Sequence, residues 1–162
     1  MPSEPRLDTT HLDIQRYRPE LKDDFDKLNR EWLVGNSLLE PADVAMLADP
    51  DGEILRPGGE IFFAVDDRRV VGTCAAIRVS DSAFELAKLA VSPSAQGRGI
   101  GRILAGEAIR FAREAGATTI VLSSNSALVP AIRLYESLGF AHAPLPADIP
   151  YATADVYMTL VL

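Results

Sequence analysis

Three glycines at alternate positions, Gly97, Gly99 and Gly101, follow an apolar run ending at Val91 and straddle the start of an apolar periodicity at Ile100. The stretch reads Leu89-Ala90-Val91-Ser92-Pro93-Ser94-Ala95-Gln96-Gly97-Arg98-Gly99-Ile100-Gly101-Arg102, the pattern of a strand that passes through a turn into a helix. Glycine in a helix costs about 0.5–1 kcal/mol relative to alanine, so a cluster at its start implies a tight turn or a close approach to the backbone. The first N–H groups of a helix lack intrahelical partners, and the helix dipole adds positive potential around them. Such an arrangement binds phosphate. Arg98 and Arg102 add positive charge beside it. As a turn alone the loop would need no ligand, but the density of glycine in the helix's first turn favours one.

The spacing excludes the familiar nucleotide loops. There is no Gly-x-x-x-x-Gly-Lys-Ser/Thr, which argues against a nucleotide-dependent phosphotransferase. The Gly-x-Gly-x-x-Gly of dinucleotide binding is also unmet, and about 20 residues on, where an acid would be needed for the ribose, stand the apolar Ile120 to Leu122.

The elements that must position this loop follow from local periodicity. Leu12 and Ile14 alternate with polar neighbours from His11 to Tyr17, the period of a half-buried strand. Pro19 opens a helix with Leu21, Phe25, Leu28 and Trp32 on one face, ended by Gly35 and Asn36. A short helix is expected over 42–48, before the turn signal Asp49-Pro50-Asp51-Gly52. Residues 61–65 and 70–77 flank Asp66-Asp67-Arg68-Arg69 and read as a hairpin, continued by a strand over 83–91. A long helix from about Ile100 to Ala115, closed by Gly116, leads to a β-branched strand over 118–122. Pro130 starts a helix whose Ala131, Leu134, Tyr135 and Leu138 face inward, and 155–162 reads as a final strand after a proline-rich loop. An antiparallel run followed by strand, helix, strand implies a mixed α/β domain with one parallel crossover.

Composition narrows the partners. The 162 residues suit one domain over 11–162, with residues 1–10, rich in proline and charge, as a flexible N-terminal segment. Sixteen Lys and Arg against twenty-three Asp and Glu give a net charge of −7, which disfavours nucleic acid and anionic membranes. The single Cys74 sits in an apolar run and forms neither an internal disulfide nor a cysteine-rich metal site, so a reducing, cytoplasmic setting is expected. No run approaches the roughly 20 apolar residues of a membrane helix. His11 and His142 are too isolated in sequence to predict a metal site, and none is expected.

Gln96-Gly97-Arg98-Gly99-Ile100-Gly101 on a strand-to-helix turn resembles the acetyl-CoA motif of the GCN5-related N-acetyltransferase (GNAT) family. The similarity continues through Ala131-Ile132-Arg133-Leu134-Tyr135-Glu136-Ser137-Leu138-Gly139-Phe140, and the predicted element order matches the family's from His11 to Leu162. The resemblance implies a GNAT fold: a mostly antiparallel sheet of about six to seven strands with a parallel splayed pair and flanking helices. It implies acetyl-CoA as cosubstrate, its diphosphate held by the amides of Gln96, Gly97, Arg98, Gly99, Ile100 and Gly101 with Arg102 nearby. The strand at Leu89, Ala90 and Val91 is expected to bulge, hydrogen-bond the pantetheine arm, and polarise the thioester carbonyl through a main-chain N–H.

Two catalytic roles are implied as well. Tyr135 matches the tyrosine that protonates the departing thiolate, although an aromatic there would pack in any fold. Glu85, six residues before Val91, has the offset of the general base in the histone-acetylating branch; its plainer reading is a solvent-facing strand residue. Leu128 stands where many members carry an asparagine that contacts CoA, and Asn125 is the candidate replacement, or else an ordinary turn asparagine. Asp148, Tyr151 and Asp155 border the expected acceptor site. The expected activity is acetyl transfer to a primary amine of a small molecule or peptide, with a non-catalytic acyl-CoA sensor as the rival reading. A homodimer is left open.

Overall fold

Period-two burial organises the centre of the molecule, a computed structural model that describes residues 11–162. The segment expected to be flexible, residues 1–10, lies outside the described residues. Strands β1 (Leu12–Arg16), β2 (Glu60–Asp66), β3 (Arg69–Arg78), β4 (Ala83–Val91), β5 (Thr119–Ser124), β6 (Ala141–Ala143) and β7 (Val156–Val161) form one seven-stranded sheet in the order β1-β2-β3-β4-β5-β7-β6. Helices α1 (Lys22–Gly35), α2 (Pro41–Ala48), α3 (Ile100–Glu114) and α4 (Val129–Ser137) flank it. This is the mixed α/β architecture expected from the sequence.

Both faces of the sheet's centre are buried, which explains the unbroken apolar run in β2. Phe62 and Ala64 join a cluster with Leu104, Ala108 and Ala112 of α3, whereas Ile61 and Phe63 join a second with Phe25 of α1 and Leu47 of α2. Burying one large apolar side chain is worth about 1.5–3 kcal/mol, so both helix layers are held to the sheet by its alternating pleat. Cys74 lies fully buried in the first cluster and is a free thiol.

Neighbouring strands pair antiparallel except β4 and β5, which run parallel as the β4–α3–β5 crossover requires. Their pairing is brief. It covers Ala83↔Thr119, Phe84↔Ile120 and Glu85↔Val121, after which β4 continues to Val91 and β5 to Ser124 without pairing to each other. The strands therefore splay, leaving a wedge whose walls are unpaired strand edges.

Two details depart from the sequence reading. The Asp49-Pro50-Asp51-Gly52 signal leads not into a simple turn but into a π-helical turn, Asp51–Leu55, closed by Arg56 N–H to Asp51 O at 2.8 Å and anchored by buried Ile54. Pro19 starts a single 3₁₀ turn, with α1 following from Lys22. Strand β6 directly follows the Gly139-Phe140 helix closure and adds the sheet's last edge beyond β7. Among the described residues no helix is long and apolar enough to cross a membrane.

Candidate active site

The loop between β4 and α3 owes its shape to two left-handed glycines. Gly97 has φ 82° and Gly99, the residue capping α3, has φ 77°, a region that side chains with a Cβ adopt at a cost. Among the described residues the N–H groups of Gly97, Gly99, Ile100, Gly101 and Arg102 have no hydrogen-bond acceptor; the first ladder bond of α3 runs from Ile103 N–H to Gly99 O. These residues line a groove of about 660 Å³ that also reaches Leu134 and Tyr135 of α4 and Trp32 of α1. A Cβ on Gly101 would meet Leu134 Cδ2 at 3.6 Å and Leu89 and Val91 at 4.0 Å, all groove residues, so packing does not require a glycine there. Five unspent donors around a groove of this size fit an anionic diphosphate.

The two arginines divide their tasks. Arg98 pairs with Asp66 at 2.7 Å and ties the loop to the end of β2. Arg102 lines the groove, its guanidinium donating to Ser137 Oγ of α4. Gln96 reaches back from its amide nitrogen to Val91 O at 3.2 Å, fastening the loop to the strand before it.

Strand β4 bulges just ahead of this loop. The register with β3 runs Thr73↔Ala90 and then Ala75↔Ala87, and Lys88 at the irregularity has φ 55°. An unbroken pleat would point Lys88 to the face of Phe84 and Leu86; the bulge re-aims it toward α2. There its ammonium pairs with Asp43 and donates to Tyr151 Oη at 3.1 Å, the two charged side chains being only 7% and 3% exposed. Burial opposes the charge on Lys88, but Tyr151 and Asp43 outweigh it and raise its pKa. Leu89 and Val91 line the groove, while Ala90 turns into the interior.

A second cavity, of about 120 Å³, lies on the α2 side of the bulge. It meets the groove at Trp32, Leu89, Leu128 and Tyr135, which line both. Tyr135 packs edge-on to Phe140 with ring centroids 6.0 Å apart, and its hydroxyl has no hydrogen-bond partner among the described residues. Burial pushes its phenol pKa well up, so the group is protonated across the physiological range.

Glu85 lines the second cavity at the point where β4 and β5 part. Burial raises its carboxyl pKa, partly offset by Lys88. Asn125 lies in this cavity rather than in the groove, and both ends of its amide are used: Nδ2 donates to Thr153 O at 2.7 Å and Oδ1 accepts Ala127 N–H at 2.9 Å. Asp155 is outside both cavities, accepting from Ser126 N–H and Oγ, contacts that hold its carboxyl below the usual range. Glu40, the cap of α2, accepts from Ala152 N–H, Thr153 N–H and Thr153 Oγ1 and so fastens the loop before β7 to α2.

Sequence reasoning missed Lys88, Asp43, Glu40 and the position of Trp32 between the cavities. One signal was available: Phe84, Leu86 and Ala90 fall in one buried phase of β4, and Lys88 occupies the same phase, a conflict that only a bulge or a buried partner resolves. Among the described residues no group of three or more His, Cys, Asp or Glu side chains is arranged to hold a metal ion.

Residues 14–140 match the acetyltransferase (GNAT) family model, and the chain belongs to that family. It is an acyltransferase of the N-acetyltransferase group. An uncharacterised N-acetyltransferase of Schizosaccharomyces pombe is 30% identical over 138 residues, covering 79% of this chain and 85% of that protein. The N-acetylaspartate synthetase of Rattus norvegicus is 36% identical over 98 residues, covering 59% of this chain but only 33% of its own length. A Salmonella typhimurium protein named as an acetyltransferase, solved with its cofactor acetyl-CoA, shares the fold with a TM-score of 0.75 at 21% identity, over 93% of this chain and 94% of that one.

Proposed function

We propose that this chain transfers the acetyl group of acetyl-CoA directly to a primary amine while both substrates are bound. The observation that carries this reading is the meeting of two cavities at Tyr135, one rimmed by unspent amide donors and the other by a buried carboxylate. When bound, acetyl-CoA supplies an acetyl group activated as a thioester. The loop amides from Gly97 to Arg102 hold its diphosphate, and the unpaired edge of β4 toward Leu89 and Val91 receives the pantetheine arm. Main-chain donors at the bulge are fixed before any ligand arrives, so they stabilise developing oxygen charge without reorganising.

Proton handling falls to two side chains. An amine acceptor is mostly ammonium at neutral pH, and Glu85, made more basic by burial, accepts its proton directly or through water. Tyr135 keeps its proton and, in this reading, gives it to the departing sulfur. Burial raises its pKa, but the same dry surroundings raise that of a thiol beside it, so the two remain matched. Asn125 serves here by holding the loop before β7, through its bonds to Thr153 O and Ala127 N–H.

A sensor that only binds acyl-CoA needs neither the second cavity nor a free phenol at the junction. The two readings separate in a CoA-release assay run on amines, amino acids and peptide amino termini, with a CoA-dependent melting shift measured in parallel. Release with at least one acceptor supports the enzyme; a melting shift with no release across the panel supports the sensor.

A further inference from the structure

We infer that the amine acceptor carries a carboxylate close to its amino group, and that Lys88 and Tyr151 are the residues that bind it. The inference rests on the transferase reading above and names the class of acceptor for that site.

The smaller cavity holds several polar groups, and most are already used. Asp43 accepts from Lys88 on one oxygen and from Glu40 N–H on the other. Glu40 is spent on Ala152 and Thr153, and Asn125 gives one N–H to Thr153 and accepts Ala127 N–H, keeping a second, neutral N–H. Lys88 is different. An ammonium has three donors, and this one, on a side chain only 7% exposed, gives one to Asp43 and one to Tyr151, leaving the third with no acceptor among the described residues. Buried donors are almost always paired, so a spare one facing a cavity marks a ligand's place. Tyr151 repeats the pattern: its oxygen accepts from Lys88, while its own proton has no acceptor among the described residues.

Two neighbouring donors left over beside a cavity, one of them charged, match the two oxygens of a carboxylate. Glu85 lines the same cavity as an anion-forming acceptor, the complement of an amino group. A ligand bearing both groups leaves each satisfied, whereas a polyamine would bring like charge to Lys88 and leave its third N–H unpaired. The cavity's volume, about 120 Å³, restricts it to a small acceptor such as one amino acid. Longer acceptors meet the loop that Glu40 fastens.

CoA without its acetyl group has nothing to transfer, so acceptor binding to the CoA-loaded protein is read apart from turnover. Calorimetric titration of that complex with the common L-amino acids, their α-amides and their decarboxylated amines tests the inference. At least one amino acid should bind about tenfold or more tightly than its amide and its amine. Tyr151→Phe, and separately Lys88→Met combined with Asp43→Asn, should narrow that gap to about threefold or less while CoA affinity stays unchanged. The Tyr151→Phe variant keeps the buried ion pair, so it answers even if the double variant folds poorly. Amides or amines that bind as well as the acids, no amino acid binding at all, or an undiminished gap in both variants overturns the inference. Loss of CoA binding in the unmodified protein would instead overturn the transferase reading.

Discussion

Asp43 of α2 and Lys88 of β4 stand 45 positions apart in the chain and form an ion pair sealed from solvent. The pair connects the helix that caps the smaller cavity to the bulge beside the larger groove. It also holds a lysine in a backbone conformation that lysine disfavours.

Removing one partner of a buried pair leaves the other charge unpaired, at a cost of about 3–5 kcal/mol. Asp43→Ala should therefore lower unfolding free energy by that amount in urea denaturation. The variant carrying both Lys88→Met and Asp43→Asn should recover most of it, because asparagine still accepts Glu40 N–H and no charge remains. Equal losses in the two variants would show that the cost does not come from an unpaired buried charge.

Gly101→Ala separates folding from ligand binding. The new methyl makes only ordinary contact with Leu134 and relieves the helix of a glycine, so the melting temperature should hold or rise. It also projects among Leu89, Val91 and Leu134, so CoA affinity should fall about tenfold, or about 1.4 kcal/mol, by calorimetry. Unchanged affinity would move the cosubstrate out of this groove.

Tyr135→Phe retains the edge-on contact with Phe140 and deletes only the hydroxyl. Turnover should drop on the order of a hundredfold while CoA affinity is unchanged. Equal turnover would release Tyr135 from the acid role.

Burial raises the Glu85 pKa, and the proton-accepting form exists above it. Activity should therefore fall as pH drops through a value above the ordinary carboxylate range near 4.3, and Glu85→Gln should abolish that limb. Stability runs the opposite way. A carboxyl whose folded pKa is raised favours the fold fully below its unfolded pKa and loses that contribution as pH rises through the folded value. Glu85→Gln should thus raise the melting temperature at pH 7 and leave it little changed below pH 4. A pH–rate profile with its acid limb intact in Glu85→Gln would remove the residue from proton transfer.

The glycine-rich turn before α3, α3 itself, α4 and the position of Tyr135 were legible because each rests on neighbours in sequence: alternate glycines, a 3.6-residue apolar period, a proline near a helix start. The smaller cavity was not. Lys88 finds Asp43 only after α2 has packed on the sheet, and Glu40 finds Ala152 and Thr153 across more than a hundred residues. Asn125 shows the same limit from the other side, since its local turn was readable but its bond to Thr153 was not.

Trp32, the only tryptophan in the chain, lines both cavities and reports on their occupancy by its fluorescence. Titration with CoA and with pantetheine, which lacks the diphosphate, tests the amide-loop assignment most directly. Saturable change in Trp32 emission with CoA, and binding of pantetheine at least about a hundredfold weaker, is the expected result. Pantetheine binding as tightly as CoA, or CoA leaving Trp32 emission and the melting temperature unmoved, would contradict it.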